Sequence, residues 1–294
     1  MIQRFDHAVI AVRDLEEASC SYTDYLGLPV KAGGTHPGAG THNSIMRFGL
    51  DYLELLAVRD REEAVQGWLR GGPLLSFLSA RQGLTSFVLA SDDIEADTAR
   101  AAGAGVQTVG PFPMRRQRPD GNVFSWRLTF LGEHPWRQPV PFLIQYDQPD
   151  AERLQWDPPT STPLGVTRVA AIAVAVRNLG AAMHLYENAL GLQAAHMEDV
   201  PALGARQATI PLGTCTVRLL APIHEDGLIG RELAERGEGP FEIALAVRSM
   251  EKAKGLLRER GTEFEPAPGS VNRVLIDPSR ACGARIVLVK ETAG

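Results

Sequence analysis

The chain has 294 residues, 44% of them hydrophobic and 22% charged, an ordinary globular balance for one large or two modest domains. A formal net charge of -5 provides no basic face to displace counterions from a phosphate backbone, which sets nucleic acid aside as a partner. Cys20, Cys215 and Cys282 lie far apart without metal spacing, and no apolar run approaches a signal core or a span of roughly twenty residues, so the expectation is a cytoplasmic protein with no membrane partner.

Taken in order, residues 5–12 are apolar at nearly every position and predict a strand buried on both faces. Asp14 is placed to cap a helix in which Leu15, Ala18, Tyr22 and Leu26 recur at helical spacing, and Gly27 stops it. The glycine-rich stretch 33–41 reads as a loop, followed by strands over 43–48 and 51–58. Residues 61–82 have helical character broken by Gly71-Gly72-Pro73 and read as an insertion without a counterpart later in the chain. The order then repeats: a strand over 84–90, a helix over 94–102 ended by Gly103, hairpin arms around Arg118-Pro-Asp-Gly121, and strands over 123–130 and 141–146. Residues 149–163 are polar and hold Pro149, Pro158, Pro159 and Pro163, so they predict a linker with no regular element.

The stretch 11–28 returns at 175–192 with about half its letters unchanged, which marks an internal repeat. A third unit starts near Val169 and a fourth near Phe241, with a helix over 250–260 stopped by Gly261 and a last strand over 284–289. The economical reading is an α+β fold of four modules, each strand, helix, then three strands.

Gly33-Gly-Thr-His-Pro-Gly-Ala-Gly-Thr-His-Asn43, Tyr52-Leu-Glu-Leu-Leu56, Arg118-Pro-Asp-Gly121 with Trp126, and Pro141-Phe-Leu-Ile-Gln-Tyr146, set in such modules, resemble the glyoxalase-like domain proteins of the vicinal oxygen chelate superfamily. The resemblance covers nearly the whole chain. It implies four βαβββ modules paired into two incomplete-barrel domains, over 1–148 and 164–294. It further implies a small-molecule ligand, a monomer or homodimer, and a divalent metal whose ligand positions fall on His7, Glu54, Ser86 and Gln145. Serine and glutamine depart there from the histidine and glutamate of glyoxalase I. The corresponding second-half positions, Ala171, Arg218, Glu242 and Leu288, make no comparable set, so that half is expected to be structural or part of an interface.

Read from the residues themselves, Glu54 lies between leucines on a strand and points away from them. In an apolar interior its charge costs several kcal/mol, so it must pair, bind metal, face water or take up a proton. His7, on the opening strand, gains meaning beside such a carboxylate, as a ligand or in proton transfer. Gln145 offers an amide to orient substrate or water, or simply a hydrogen bond to a neighbouring strand. Ser86 has no Gly-x-Ser-x-Gly elbow and is no nucleophile. The glycine-rich segment lacks a phosphate-loop ending; its backbone amides suit an oxyanion, with His42 as a proton shuttle and Asn43 as a substrate contact. Arg118 suits a carboxylate and Trp126 an aromatic wall. Two functions follow. One is a glyoxalase-like lyase or isomerase, with Glu54 or His42 as base, His7 and Glu54 holding any metal, and Arg118, Gln145, Trp126, Asn43 and Ser86 around the substrate. The other is a non-catalytic protein that sequesters a small molecule.

Overall fold

In the computed structural model, which describes residues 1–67, 71–117, 121–270 and 272–291, the chain folds as four repeats of strand, helix and three strands. The opening strand β1 (Ile2–Ala11) is buried without a break from Phe5 to Ala11, as its uninterrupted apolar run requires. Asp14 caps α1 (Leu15–Cys20), accepting the Glu16 and Glu17 amides at 2.9 Å each. The expected helix does not continue evenly to Leu26. It widens into a π-helical turn at Ser21–Tyr25, and Gly27 then leaves it at φ +66°, a conformation open to glycine.

The first module closes with β2 (Lys31–His36), β3 (Thr41–Arg47) and β4 (Tyr52–Val58). The glycine-rich stretch forms a hairpin, in which β2 pairs antiparallel with β3 from Lys31↔Ile45 to His36↔Thr41 around a bulge. Helices α2 (Arg61–Gln66) and α3 (Gly72–Ala80) follow. The second module is β5 (Gly83–Ser91), α4 (Ile94–Gly103), β6 (Thr108–Gln117), β7 (Val123–Leu131) and β8 (Phe142–Tyr146). Residues 149–163 are not without structure: α5 (Asp150–Trp156) occupies the proline-free span, with Pro149 at its N-cap and Asp150 and Glu152 in its first turn.

The third module comprises β9 (Val166–Ala175), α6 (Leu179–Leu190), β10 (His196–Val200), β11 (Ala205–Leu212) and β12 (Cys215–Pro222). Next comes α7 (Leu228–Arg236), in the same place in the element order as α2 and α3, so the first-half helices do have a counterpart. The fourth module is β13 (Gly239–Val247), α8 (Met250–Glu259), β14 (Phe264–Pro266), β15 (Arg273–Ile276) and β16 (Ile286–Lys290).

The strands form two eight-stranded sheets, ordered β2-β3-β4-β1-β5-β8-β7-β6 and β10-β11-β12-β9-β13-β16-β15-β14. Each sheet thus follows one half of the chain and pairs two modules, an incomplete-barrel arrangement. Backbone proximity divides the chain differently, into two compact units that each draw on both halves. One holds Met1–His7, Ser86–Pro158 and Ala171–Phe241. Within it, Arg100 on α4 donates to the carbonyls of Ala189 and Leu190 at the end of α6 (3.3 and 2.9 Å), and Tyr186 donates to Pro139. The other holds Ala8–Thr85, Pro159–Ala170 and Glu242–Gly294. There Tyr22, fully buried, donates to Ala281 at 3.0 Å, and Thr262 donates to the carbonyl of Tyr25. Among the described residues, no helix is long and apolar enough to cross a membrane.

Candidate functional site

In the unit that holds β3 and β4, the ladder fixes which side chains share a face. Partners Asn43↔Leu56, Ile45↔Glu54 and Arg47↔Tyr52 point one way, while His42↔Ala57, Ser44↔Leu55 and Met46↔Leu53 point the other. Glu54 is buried, 7% exposed, on the first of these faces. Asn43 Nδ2 donates to Glu54 Oε1 at 2.5 Å, and the same amide accepts the Gly34 backbone N–H on Oδ1 at 2.8 Å. The two contacts set the amide's orientation, so Asn43 presents nitrogen to the carboxylate. Arg47 lies over the Tyr52 ring on this face, 4.7 Å from its centroid. His36 belongs to it through the His36↔Thr41 pair, with Nδ1 2.9 Å from Thr41 Oγ1.

His42, expected as a proton shuttle or base, does not share the Glu54 face. It pairs with Ala57 and so points to the opposite face of its strand. Burial, followed by the nearby positive charge of Arg59, lowers its pKa. Asn43, expected as a substrate contact, has its amide bonded to Glu54 and to the Gly34 backbone.

In the other unit, His7 is 5% exposed and its Nδ1 lies 2.8 Å from Asp6 Oδ1. Asp6 is fully buried. Arg4 bonds its other oxygen at 2.9 Å, Tyr146 donates a hydroxyl at 3.2 Å, and Arg153 stands 3.9 Å away. Burial alone would raise the Asp6 pKa; Arg4, the His7 hydrogen bond and Arg153 together outweigh it and hold the carboxyl far below its ordinary range. Arg153 comes from α5 and its guanidinium stacks on the Tyr146 ring. A carboxylate on Nδ1 selects the tautomer whose lone pair is on Nε2. Sequence reasoning passed over Asp6, Arg4, Arg153 and Tyr146. The one available signal was an acid next to a histidine inside an apolar strand.

The same unit has an aromatic sheet face. Trp126↔Tyr146, Leu128↔Ile144 and Val88↔Phe142 share it, and Phe142 meets both Phe130 and the His7 ring edge-on, at 5.5 and 6.0 Å. Trp126 lies 6.3 Å from Tyr146. Gln145 is on the other side, with Arg127 and Thr129, facing α4. Its Oε1 accepts the Ile94 amide at 2.8 Å and its Nε2 donates to the Asp92 carbonyl at 2.7 Å. It therefore caps the start of α4 instead of holding substrate or metal. Ser86 donates its hydroxyl to the Pro135 carbonyl. Arg118 lies outside the described residues.

The set His7, Glu54, Ser86 and Gln145 does not fit a divalent cation. An amide turned toward a helix and a hydroxyl spent on a carbonyl leave a histidine and a carboxylate as the members of that set of suitable type. In the second half, Glu242 is buried and bonded by Arg273, and Arg218 donates Nε to Gln207 at 2.6 Å. Since Ala90 pairs with Ile144 and Ala246 with Val289, the counterpart of Gln145 is Lys290, not Leu288.

A family model described as a glyoxalase-like domain matches residues 5–178, and one described as the glyoxalase/bleomycin resistance protein/dioxygenase superfamily matches residues 171–274. No curated protein matches the chain. Among solved structures, a hypothetical protein from Staphylococcus aureus is similar over 99% of this chain and 100% of its own, with 16% identity and a TM-score of 0.68. A mutant of 4-hydroxymandelate synthase from Streptomyces coelicolor is similar over 100% of this chain and 94% of its own, with 16% identity and a TM-score of 0.67. Methylmalonyl-CoA epimerase from Mycobacterium tuberculosis matches 44% of this chain and 91% of its own at 27% identity, with a TM-score of 0.41. With its four modules, its two sheets and a family model spanning more than half its length, the chain belongs to the glyoxalase-like domain family of the vicinal oxygen chelate superfamily.

Proposed function

We propose that the chain is a small-molecule enzyme of the glyoxalase-like kind, a lyase or isomerase in which Glu54 removes a proton from a carbon next to a carbonyl or carboxylate. The observation that carries this reading is the buried Glu54 carboxylate with one oxygen fixed by Asn43. The amide fixes the direction of the carboxylate, and proton transfer to a positioned side chain needs that alignment. The electron pair left on carbon moves to the carbonyl oxygen, and the protonated Glu54 returns its proton in an isomerisation. Asn43 and Glu54 belong to the same compact unit, so the base and the group that orients it are held together. The test is turnover of a panel of oxygenated small molecules: Glu54→Gln, folded as judged by circular dichroism, loses at least ~100-fold in rate. An unchanged rate removes the assignment.

Sequestration is the second reading, favoured by the aromatic face around Phe142 and by the commitment of Ser86 and Gln145 to internal partners. It gives tight binding, no turnover, and indifference to Glu54→Gln.

A further inference from the structure

Among the described residues the two sheets end on β2, β6, β10 and β14. An edge strand presents a row of backbone N–H and C=O groups that can template pairing with another chain. Three of these edges carry features that block such pairing. β2 holds Gly33 and Gly34 and is broken by a bulge between Ala32 and Gly34. β6 contains Pro111 and Pro113 and shifts register between Val109 and Phe112. β14 is three residues long and ends in Pro266. β10 has none of these. It pairs with β11 in unbroken register from His196↔Thr209 to Val200↔Ala205 and holds neither proline nor glycine. Its first four residues are exposed, Met197 by 56%.

The charges of β10 fit a second copy of the same strand. A two-fold axis normal to the sheet brings two copies together antiparallel and keeps every side chain on its own face. Centred on Met197, such pairing sets Met197 against the second copy's Met197 and His196 against the second copy's Glu198, the latter contact occurring twice. Glu198 Oε2 already lies 3.8 Å from His196 Nε2 of its own chain, with both side chains more than half exposed, so each carboxylate stands between two imidazoles. Centring the pair on Glu198 or Asp199 instead sets like carboxylates face to face, which disfavours those registers. Asp199 is balanced within its own chain, where Arg206 donates to it through Nε at 2.7 Å and Nη2 at 3.3 Å, and so does not oppose the approach. The adaptable Met197 side chains fill the centre. We infer that β10 is a docking edge for a second copy of this chain, the two strands joining antiparallel about Met197. This inference is independent of the role proposed for Glu54.

The experiment is sedimentation velocity of the full chain at concentrations rising to about 300 μM, because an edge of five residues belongs with the small, weak interfaces. A monomer–dimer equilibrium is expected. It is about tenfold or more weaker in His196→Glu, which sets two carboxylates against each other, and in Met197→Asp, which puts charge at the centre. His196→Lys keeps a cation opposite Glu198 and leaves the equilibrium undiminished. Both positions are exposed, and circular dichroism checks that each variant is folded. A parent chain that stays monomeric, an equilibrium that His196→Glu or Met197→Asp leaves unchanged, or one that His196→Lys weakens as much as His196→Glu does, overturns the inference.

Discussion

Asn43 and Glu54 are joined across β3 and β4 by a 2.5 Å hydrogen bond from amide nitrogen to carboxylate oxygen, on the face of the ladder opposite to Leu53 and Leu55. If this bond aims the acid, Asn43→Leu lowers kcat by roughly 10- to 100-fold, the equivalent of a hydrogen bond to a charged group, while substrate affinity changes less. Steady-state kinetics that separate kcat from KM check this.

Gly33 offers a second approach to the same bond. A Cβ at this position collides with Asn43 Oδ1 and comes within 2.8 Å of its Cγ, so Gly33→Ala must rotate the amide away from Glu54. The expected result is a kcat loss resembling that of Asn43→Leu, with some fall in melting temperature because the Cβ also lies 3.0 Å from the Asn43 backbone carbonyl oxygen. A kcat equal to that of the parent protein argues against the positioning role of Asn43.

Gln145 acts on stability. Its amide satisfies the Ile94 N–H, one of the donors left open at the start of α4, and the Asp92 carbonyl. Gln145→Ala is expected to cost ~1–2 kcal/mol, a fall in Tm of about 2–4 °C, with turnover and ligand affinity intact. Thermal denaturation beside a ligand titration reads both.

Asp6 links folding to acid. Its carboxyl is held below its ordinary value of 3.8, so the unfolded chain binds the proton more readily than the folded one. The resulting stabilisation is fully present above that ordinary value and is lost as pH falls through the lower folded value. Asp6→Asn therefore gives a flatter stability profile below about pH 4 than the parent protein, read from urea midpoints across an acid series.

Much of the fold was legible in the sequence because single residues state it. Asp14, Asp93, Asn178 and Ser249 each cap a helix, and Gly27, Gly191 and Gly261 end helical stretches with positive φ. The continuous apolar runs of β1, β5 and β13 gave the module starts. The site was legible only in part. Alternation correctly puts Gln145 with Leu143, but which face of β8 meets a helix depends on how the sheet is covered. His42 and Asn43 are adjacent, and only the pairing with β4 separates their faces. The importance of Asp6 rests on Tyr146 and Arg153, whose approach no local pattern announces. The helix carrying Arg153 was hidden by the prolines that flank it.

Proton removal by Glu54 is most directly measured as solvent deuterium entering the carbon next to a carbonyl, followed by NMR for a panel of oxygenated small molecules in D2O. The account predicts that the parent protein exchanges at least one such compound and that folded Glu54→Gln exchanges it at least ~100-fold more slowly. Exchange at the parent rate in Glu54→Gln contradicts it.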